Sequence, residues 1–157
     1  METKGSNDWL NIIVQADRYG EGNTKLYYVT KDIREEPENA SLNSRSYGPV
    51  GFEKNMGDPN ELVSFFQWVE RCAPSNYVLL DIWDHGASWR GVSWDKTTPN
   101  KDYIDIAELK DAFSSIRAIN REKIDLLLFD ACLMGMVEVA YELKDYVSYI
   151  VFSQETL

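Results

Sequence analysis

A thiol and an imidazole, Cys132 and His85, are the side chains of this 157-residue sequence best suited to chemistry. A cysteine attacks a carbonyl as the thiolate, so it needs a base within reach and gains from a helix N-terminus, whose partial positive charge favours the anion. His85 is the one histidine of the chain, and it follows the apolar run Tyr77–Trp83 in the order Asp84-His85-Gly86. Cys132 follows a second apolar run, Ile124–Phe129, in the order Asp130-Ala131-Cys132. Placed in one sheet as parallel strands, the two runs deliver imidazole and thiol to the same edge, where ligands gather in open α/β sheets. Plainer roles compete. A cysteine after a strand is often a small buried apolar residue, and a lone histidine is often a structural hydrogen-bonding group. Cys72, at the end of an amphipathic segment, is assigned to the buried apolar role. Asp81, Asp84 and Asp130 offer a different chemistry, an acidic Mg2+ pocket. No glycine-rich phosphate loop accompanies any strand, and two thiols with one histidine give no zinc spacing, so no metal ligand set is assigned.

The elements that would position these groups alternate between strand and helix. Leu10–Ala16 is a short apolar run that predicts a strand buried on both faces, and Lys25–Thr30 a more peripheral strand after the turn residues Gly20, Gly22 and Asn23. Residues 31–57 are polar and punctuated by Pro37, Gly48, Pro49 and Gly51, which predicts a long surface excursion. Asp58, with Pro59 and Glu61 after it, predicts a capped helix whose apolar face is Leu62, Phe65, Phe66 and Val69. Asp105 and Glu108 predict a second capping box, for a helix to about Ile119 with Ile106, Leu109, Phe113 and Ile116 on one side. Strands at Tyr77–Trp83, Ile124–Phe129 and Tyr149–Phe152, a loop at Asp84–Lys101 and a helix at Met134–Lys144 complete the pattern. Such alternation implies parallel strands joined by right-handed helical crossovers, an α/β sandwich with helices on both faces. Trp83, Trp89 and Trp94 surround the histidine loop, either as core or as walls of a substrate cleft.

Composition limits the rest. With 44% hydrophobic residues the chain can bury the core of a single domain. A net charge of -10, from 26 acidic and 16 basic residues, argues against binding to a phosphate backbone and for cationic ligands, so nucleic acid is not expected as a partner. No apolar run is long enough to span a bilayer, and METKGSNDW lacks the pattern of a signal peptide, so no membrane partner is expected and export cannot be read from the chain.

Four stretches carry a family resemblance: NIIVQADR (Asn11–Arg18), NMGDPNEL (Asn55–Leu62), LLDIWDHGASW (Leu79–Trp89) and FDACLMGMVEVAYELKDY (Phe129–Tyr146). Together they are similar to the clostripain family of cysteine peptidases, whose caspase-like fold is shared with gingipains, legumains and caspases. The likeness runs from about Asp8 to the end. Caspases place their histidine about 50 residues before a Gln-Ala-Cys motif. The order is the same here, with Asp130 in place of that Gln.

The resemblance implies a Cys132–His85 dyad cleaving after Arg or Lys, with no third residue needed to orient the histidine. It implies oxyanion donors at the backbone N–H groups of Gly86 and Cys132, and Asp130 in the pocket for a basic P1 side chain, the residue just before the cut. Relatives are often cut into two chains, which makes Lys96 and Lys101 candidate processing sites in the loop after His85. The implied partner is a peptide or protein substrate with a basic P1. Calcium enters only because some relatives require it, since the sequence shows no EF-hand loop, and otherwise no cofactor is expected. Secretion or the cell envelope is suggested by relatives alone. Family members begin with a further strand and helix and continue beyond VFSQETL, so residues 1–157 are expected to be one three-layer, mostly parallel caspase-like domain, incomplete at both ends, lacking the family's first strand and its C-terminal part. A second chain or dimer partner completing the sheet is then a further expected partner. The competing expectation is a non-catalytic binding or scaffold domain, either a truncated peptidase or an acidic metal-binding module.

Overall fold

The computed structural model describes residues 1, 3–18, 20, 22–31, 45–47, 53–99, 101–120 and 122–156. They fall into two compact units, Met1–Lys54 and Asn55–Leu157. In the first unit, β1 (Ile13–Ala16), β2 (Lys25–Tyr28) and β3 (Arg45–Tyr47) form an antiparallel sheet in that order. The expected first strand is therefore half-buried, not buried on both faces, and the strand expected at the periphery lies in the middle. The short connection through Gly20, Gly22 and Asn23 explains this, because a parallel pair needs a crossover of a dozen residues or more. Thr24, fully buried, closes the turn by donating to Asp17 at 2.7 Å and accepting from the Lys54 amide at 2.9 Å. Most of the expected excursion at 31–57 lies outside the described residues.

The second unit holds α1 (Pro59–Cys72), β4 (Leu79–Trp83), a 3-10 turn (Ser88–Arg90), β5 (Val92–Trp94), β6 (Tyr103–Ile104), α2 (Ile106–Asn120), β7 (Ile124–Asp130), α3 (Val137–Leu143) and β8 (Val147–Val151). Its main sheet is wholly parallel, in the order β4-β7-β8. Two helical crossovers in the same direction put α2 and α3 on one side of the sheet. Leu80 and Ile82 of β4, Leu127 and Phe129 of β7, and Ile150 of β8 meet Phe66 of α1, Leu109, Phe113 and Ile116 of α2, and Val139 and Leu143 of α3 in one core. Phe113 and Phe129 are fully buried, and burial of each contributes about 2 kcal/mol. The other face of the sheet carries Leu79, Trp83, Tyr149 and Val151, all exposed, with Trp83 at 78% and Tyr149 at 73%.

The caps follow the sequence closely. Asp58 accepts from the Asn60 amide at 2.9 Å, with Pro59 in the first turn of α1. Asp105 and Glu108 bond reciprocally, at 3.0 and 2.8 Å, and start α2. Cys72 differs from expectation: it ends α1 exposed, because the buried face of that helix centres on Phe66. The loop after β4 also contains more structure than expected, since β5 pairs antiparallel with β6 and Trp94 stacks on Tyr103 with centroids 4.1 Å apart.

Helix α3 begins at Val137, three residues later than the spacing predicts. The delay comes from far along the chain. The Leu133 amide donates to the Glu155 carbonyl at 3.2 Å and the Gly135 amide to the Ser153 carbonyl at 2.7 Å, so this segment lies against residues 153–155 instead of coiling. Gly135 permits the approach, because a Cβ there would stand 2.8 Å from the backbone of Ser153 and Gln154. Consequently Cys132 is not at the mouth of the helix, and the expected dipole support for its thiolate is absent, since that field fades within a turn.

Candidate active site

The β4–β7 ladder sets the site. Its last rung pairs Trp83 with Asp130. His85 and Cys132 each lie two residues beyond that rung, on parallel neighbours whose axes are about 4.8 Å apart. The two loops touch. A Cβ on Gly86 would fall 2.4 Å from the Cys132 carbonyl oxygen and 3.0 Å from the Met134 side chain, so only glycine fits beside the thiol-bearing turn. Gly86→Ala is expected to force these loops apart, costing about 2 kcal/mol in chemical denaturation and lowering Cys132 reactivity. Unchanged stability and reactivity would show that the contact is soft.

Cys132 is half-buried and His85 exposed. The histidine loop is pinned to β5 on both sides of the ring. The Asp84 carboxylate accepts from the Trp94 amide, and Gly86 and Val92 form an antiparallel bridge. Beside the two loops opens a cleft of about 520 Å³ lined by Ser88, Leu133, Gly135, Met136, Val137, Glu138 and Gln154. Ser88 and Leu133 both have left-handed backbones, with φ of 59° and 62°. Strained non-glycine residues of this kind tend to gather at functional sites. Trp89 is 63% exposed beside the cleft residue Ser88, and Trp94 is held half-buried against Tyr103, so the tryptophans of this loop are not core.

Asp130 ends β7 exposed, on the same sheet face as Asp81. Burial and then the Asp130 charge raise the Asp81 carboxyl above its usual range. Asp130 does not cap α3, whose N-cap is Met136. Among the described residues no group of three or more His, Cys, Asp and Glu is arranged to hold a metal ion. No helix of the described residues is long and apolar enough to cross a membrane.

One anchor escaped the sequence. Asp95 is buried, accepting from the Met56 amide at 2.8 Å, the Thr97 amide at 2.7 Å and hydroxyl at 2.6 Å, and the Thr98 amide at 3.3 Å. Burial pushes this carboxyl up, but the bonds from Thr97, Met56 and Thr98 together hold it below the usual range. Its signal was the order Asp95-Lys96-Thr97-Thr98, in which an Asp bonds backbone two residues on. Lys96 is thereby held with its Nζ 3.4 Å from His85 Nε2. Lys101 lies exposed farther along the same loop, with a left-handed backbone.

A parallel sheet backed by helices, with a histidine and a cysteine loop side by side at its carboxyl edge, defines an α/β domain of the caspase-like class. A family model described as the Clostripain family matches residues 1–157, and the chain belongs to that family. Clostripain from Hathewaya histolytica is 30% identical over 106 residues, covering 59% of this chain and 19% of that protein. A secreted cysteine protease from Bacteroides thetaiotaomicron, solved with an irreversible peptide inhibitor, superposes with a TM-score of 0.71 at 22% identity over 94% of this chain and 39% of its own. An inactive zymogen protease from Parabacteroides distasonis gives a TM-score of 0.66 at 21% identity, over 94% and 38% of the two chains. The match therefore spans about a fifth of the curated relative and about two fifths of these solved chains.

Proposed function

We propose that this chain carries the catalytic dyad of a cysteine endopeptidase that cleaves after Arg or Lys. The observation that supports it most is the Trp83–Asp130 rung, which brings His85 and Cys132 to one level on adjacent strands, with Gly86 packed on the Cys132 carbonyl. In the reaction, Cys132 passes its proton to His85 and the thiolate adds to the scissile carbonyl. The amides of Gly86 and Cys132 stabilise the oxyanion, each worth about 3 kcal/mol in such sites. Collapse of the tetrahedral adduct breaks the C–N bond, and the imidazolium gives its proton to the departing amine. Water, deprotonated by His85, then hydrolyses the thioester and restores the thiol. Asp130 binds the P1 cation.

The substrate is a peptide or protein, and a further chain or dimer partner completes the sheet. Lys96 and Lys101 are the proposed cutting points in processing. Likeness to a secreted relative supports an exported protein, and calcium remains a family-based proposal for which no residue is assigned.

A chloromethyl ketone with a lysyl or arginyl P1 group tests the reading. Expected is stoichiometric alkylation of Cys132, found by peptide mapping, and its loss in His85→Ala. Equal labelling of Cys72, or labelling indifferent to His85, would favour a non-catalytic domain.

A further inference from the structure

The chain crosses the edge of the main sheet at Cys132. Side chains alternate along a strand, and Leu127 and Phe129 of β7 share a core with Val139 and Leu143 of α3, so Asp130 stands on the other, open face beside Trp83. After the thiol the chain passes to the helix face. Residues 133–136 lead into α3, and the cleft of about 520 Å³ opens there, with Ser88 on the 3-10 turn that lies against this helix. Asp130 and the cleft therefore lie on opposite sides of the nucleophile. An extended peptide alternates its side chains in the same way. With the P1 cation turned toward Asp130, the side chain just after the cut, P1′, turns toward the helix face. We infer that this cleft is the P1′ subsite and that it selects a large apolar side chain.

The walls supply the apolar surface. Leu133, Met136 and Val137 line the cleft, and Val137, the first residue of α3, is 77% exposed. Leu133 is exposed as well, and its left-handed backbone, with φ of 62°, is one that Gly or Asn adopts at lower cost. Neither the core nor the turn calls for leucine at this position. A substrate side chain laid against Leu133, Met136 and Val137 provides the contact that the folded chain leaves unmade, and the cleft falls within the range of about 300–1,000 Å³ usual for ligand sites. Glu138, exposed on the same wall, disfavours an acidic P1′ by like-charge repulsion. The inference rests on the dyad and on the role of Asp130 proposed above.

Peptides with Arg at P1 and Leu, Gly or Asp at P1′ test it, cleaved by the enzyme that carries this chain. Each kcat/KM is divided by that for an Arg methyl ester, which has no residue after the cut, so that damage to folding or to the dyad cancels. The native enzyme is expected to prefer Leu over Gly by about 10-fold or more, the discrimination that apolar contacts supply, and to cleave the Asp peptide most slowly. Leu133→Asn suits the left-handed backbone and Val137→Ser replaces an exposed side chain, so the doubly substituted enzyme should fold. Its Leu-to-Gly ratio should fall below about 3-fold. A native ratio near one, or a ratio that survives both substitutions, overturns the inference and leaves the dyad standing. If Glu138→Gln instead removes the preference for Arg over Gln at P1, the cleft is the P1 pocket, and the inference fails together with the role of Asp130. Failure of the native enzyme to hydrolyse any Arg substrate would defeat the dyad, and the subsite with it.

Discussion

Cys132→Ala is expected to abolish peptide hydrolysis by the enzyme that carries this chain, lowering kcat by about 10,000-fold or more, while the domain stays folded. The thiol is half-buried and follows fully buried Ala131, so its loss removes one sulfur from a site flanked by intact core, a cost of about 1 kcal/mol. Melting temperature should shift by only a few degrees. Cys72→Ala serves as the comparison, since that thiol is exposed at the end of α1. An equal fall in activity for both variants would mean that the wrong thiol is assigned or that folding limits both. Measuring turnover and circular dichroism on the same samples separates these outcomes.

Asp130→Asn is the second large effect expected. A carboxylate that pairs with a buried P1 cation discriminates against neutral side chains, because those leave it unpaired. The variant keeps shape and loses charge. For Arg and Lys substrates kcat/KM should fall about 10- to 1000-fold, with Cys132 still reacting normally with a small neutral alkylating agent. Stability should change little, since Asp130 is exposed and Met136, not Asp130, stands at the cap of α3. The rate ratio of Arg to Gln substrates is the decisive quantity. If that ratio survives the substitution, the pocket lies elsewhere, whatever happens to the absolute rate.

What could be read from the sequence was local, and what could not was tertiary. The apolar runs ending in Asp84-His85-Gly86 and Asp130-Ala131-Cys132 announced parallel strands, and the reciprocal bonds of Asp105 and Glu108 were written in their spacing. The antiparallel pairing of β1 and β2 was also legible in principle, because their connection is too short for a crossover. The late start of α3 was not. Helical periodicity from Met134 onward competes with backbone bonds to Ser153 and Glu155, partners that no local pattern names. Lys96 was singled out only as a cutting point, since a long side chain reaching back over a loop leaves no periodic trace. Asp95 was missed as an anchor although its Asp-x-Thr-Thr context was visible.

The Trp83–Asp130 rung also bears on how such a site can drift over evolutionary time. Between His85 and Cys132 the chain runs through β5, β6 and α2, but the two loops that carry them are set side by side first by the ladder, with β5 pinning the histidine loop. Residues could be inserted at the tip of the connection between β5 and β6 with little effect on either group, provided β5, β6 and the main strands keep their register. A one-residue slip of β4 against β7 would instead turn Leu80 and Ile82 outward and carry the imidazole off the level of the thiol. The number of residues between histidine and cysteine is therefore a weaker constraint on the site than the register of the two strands that end in them.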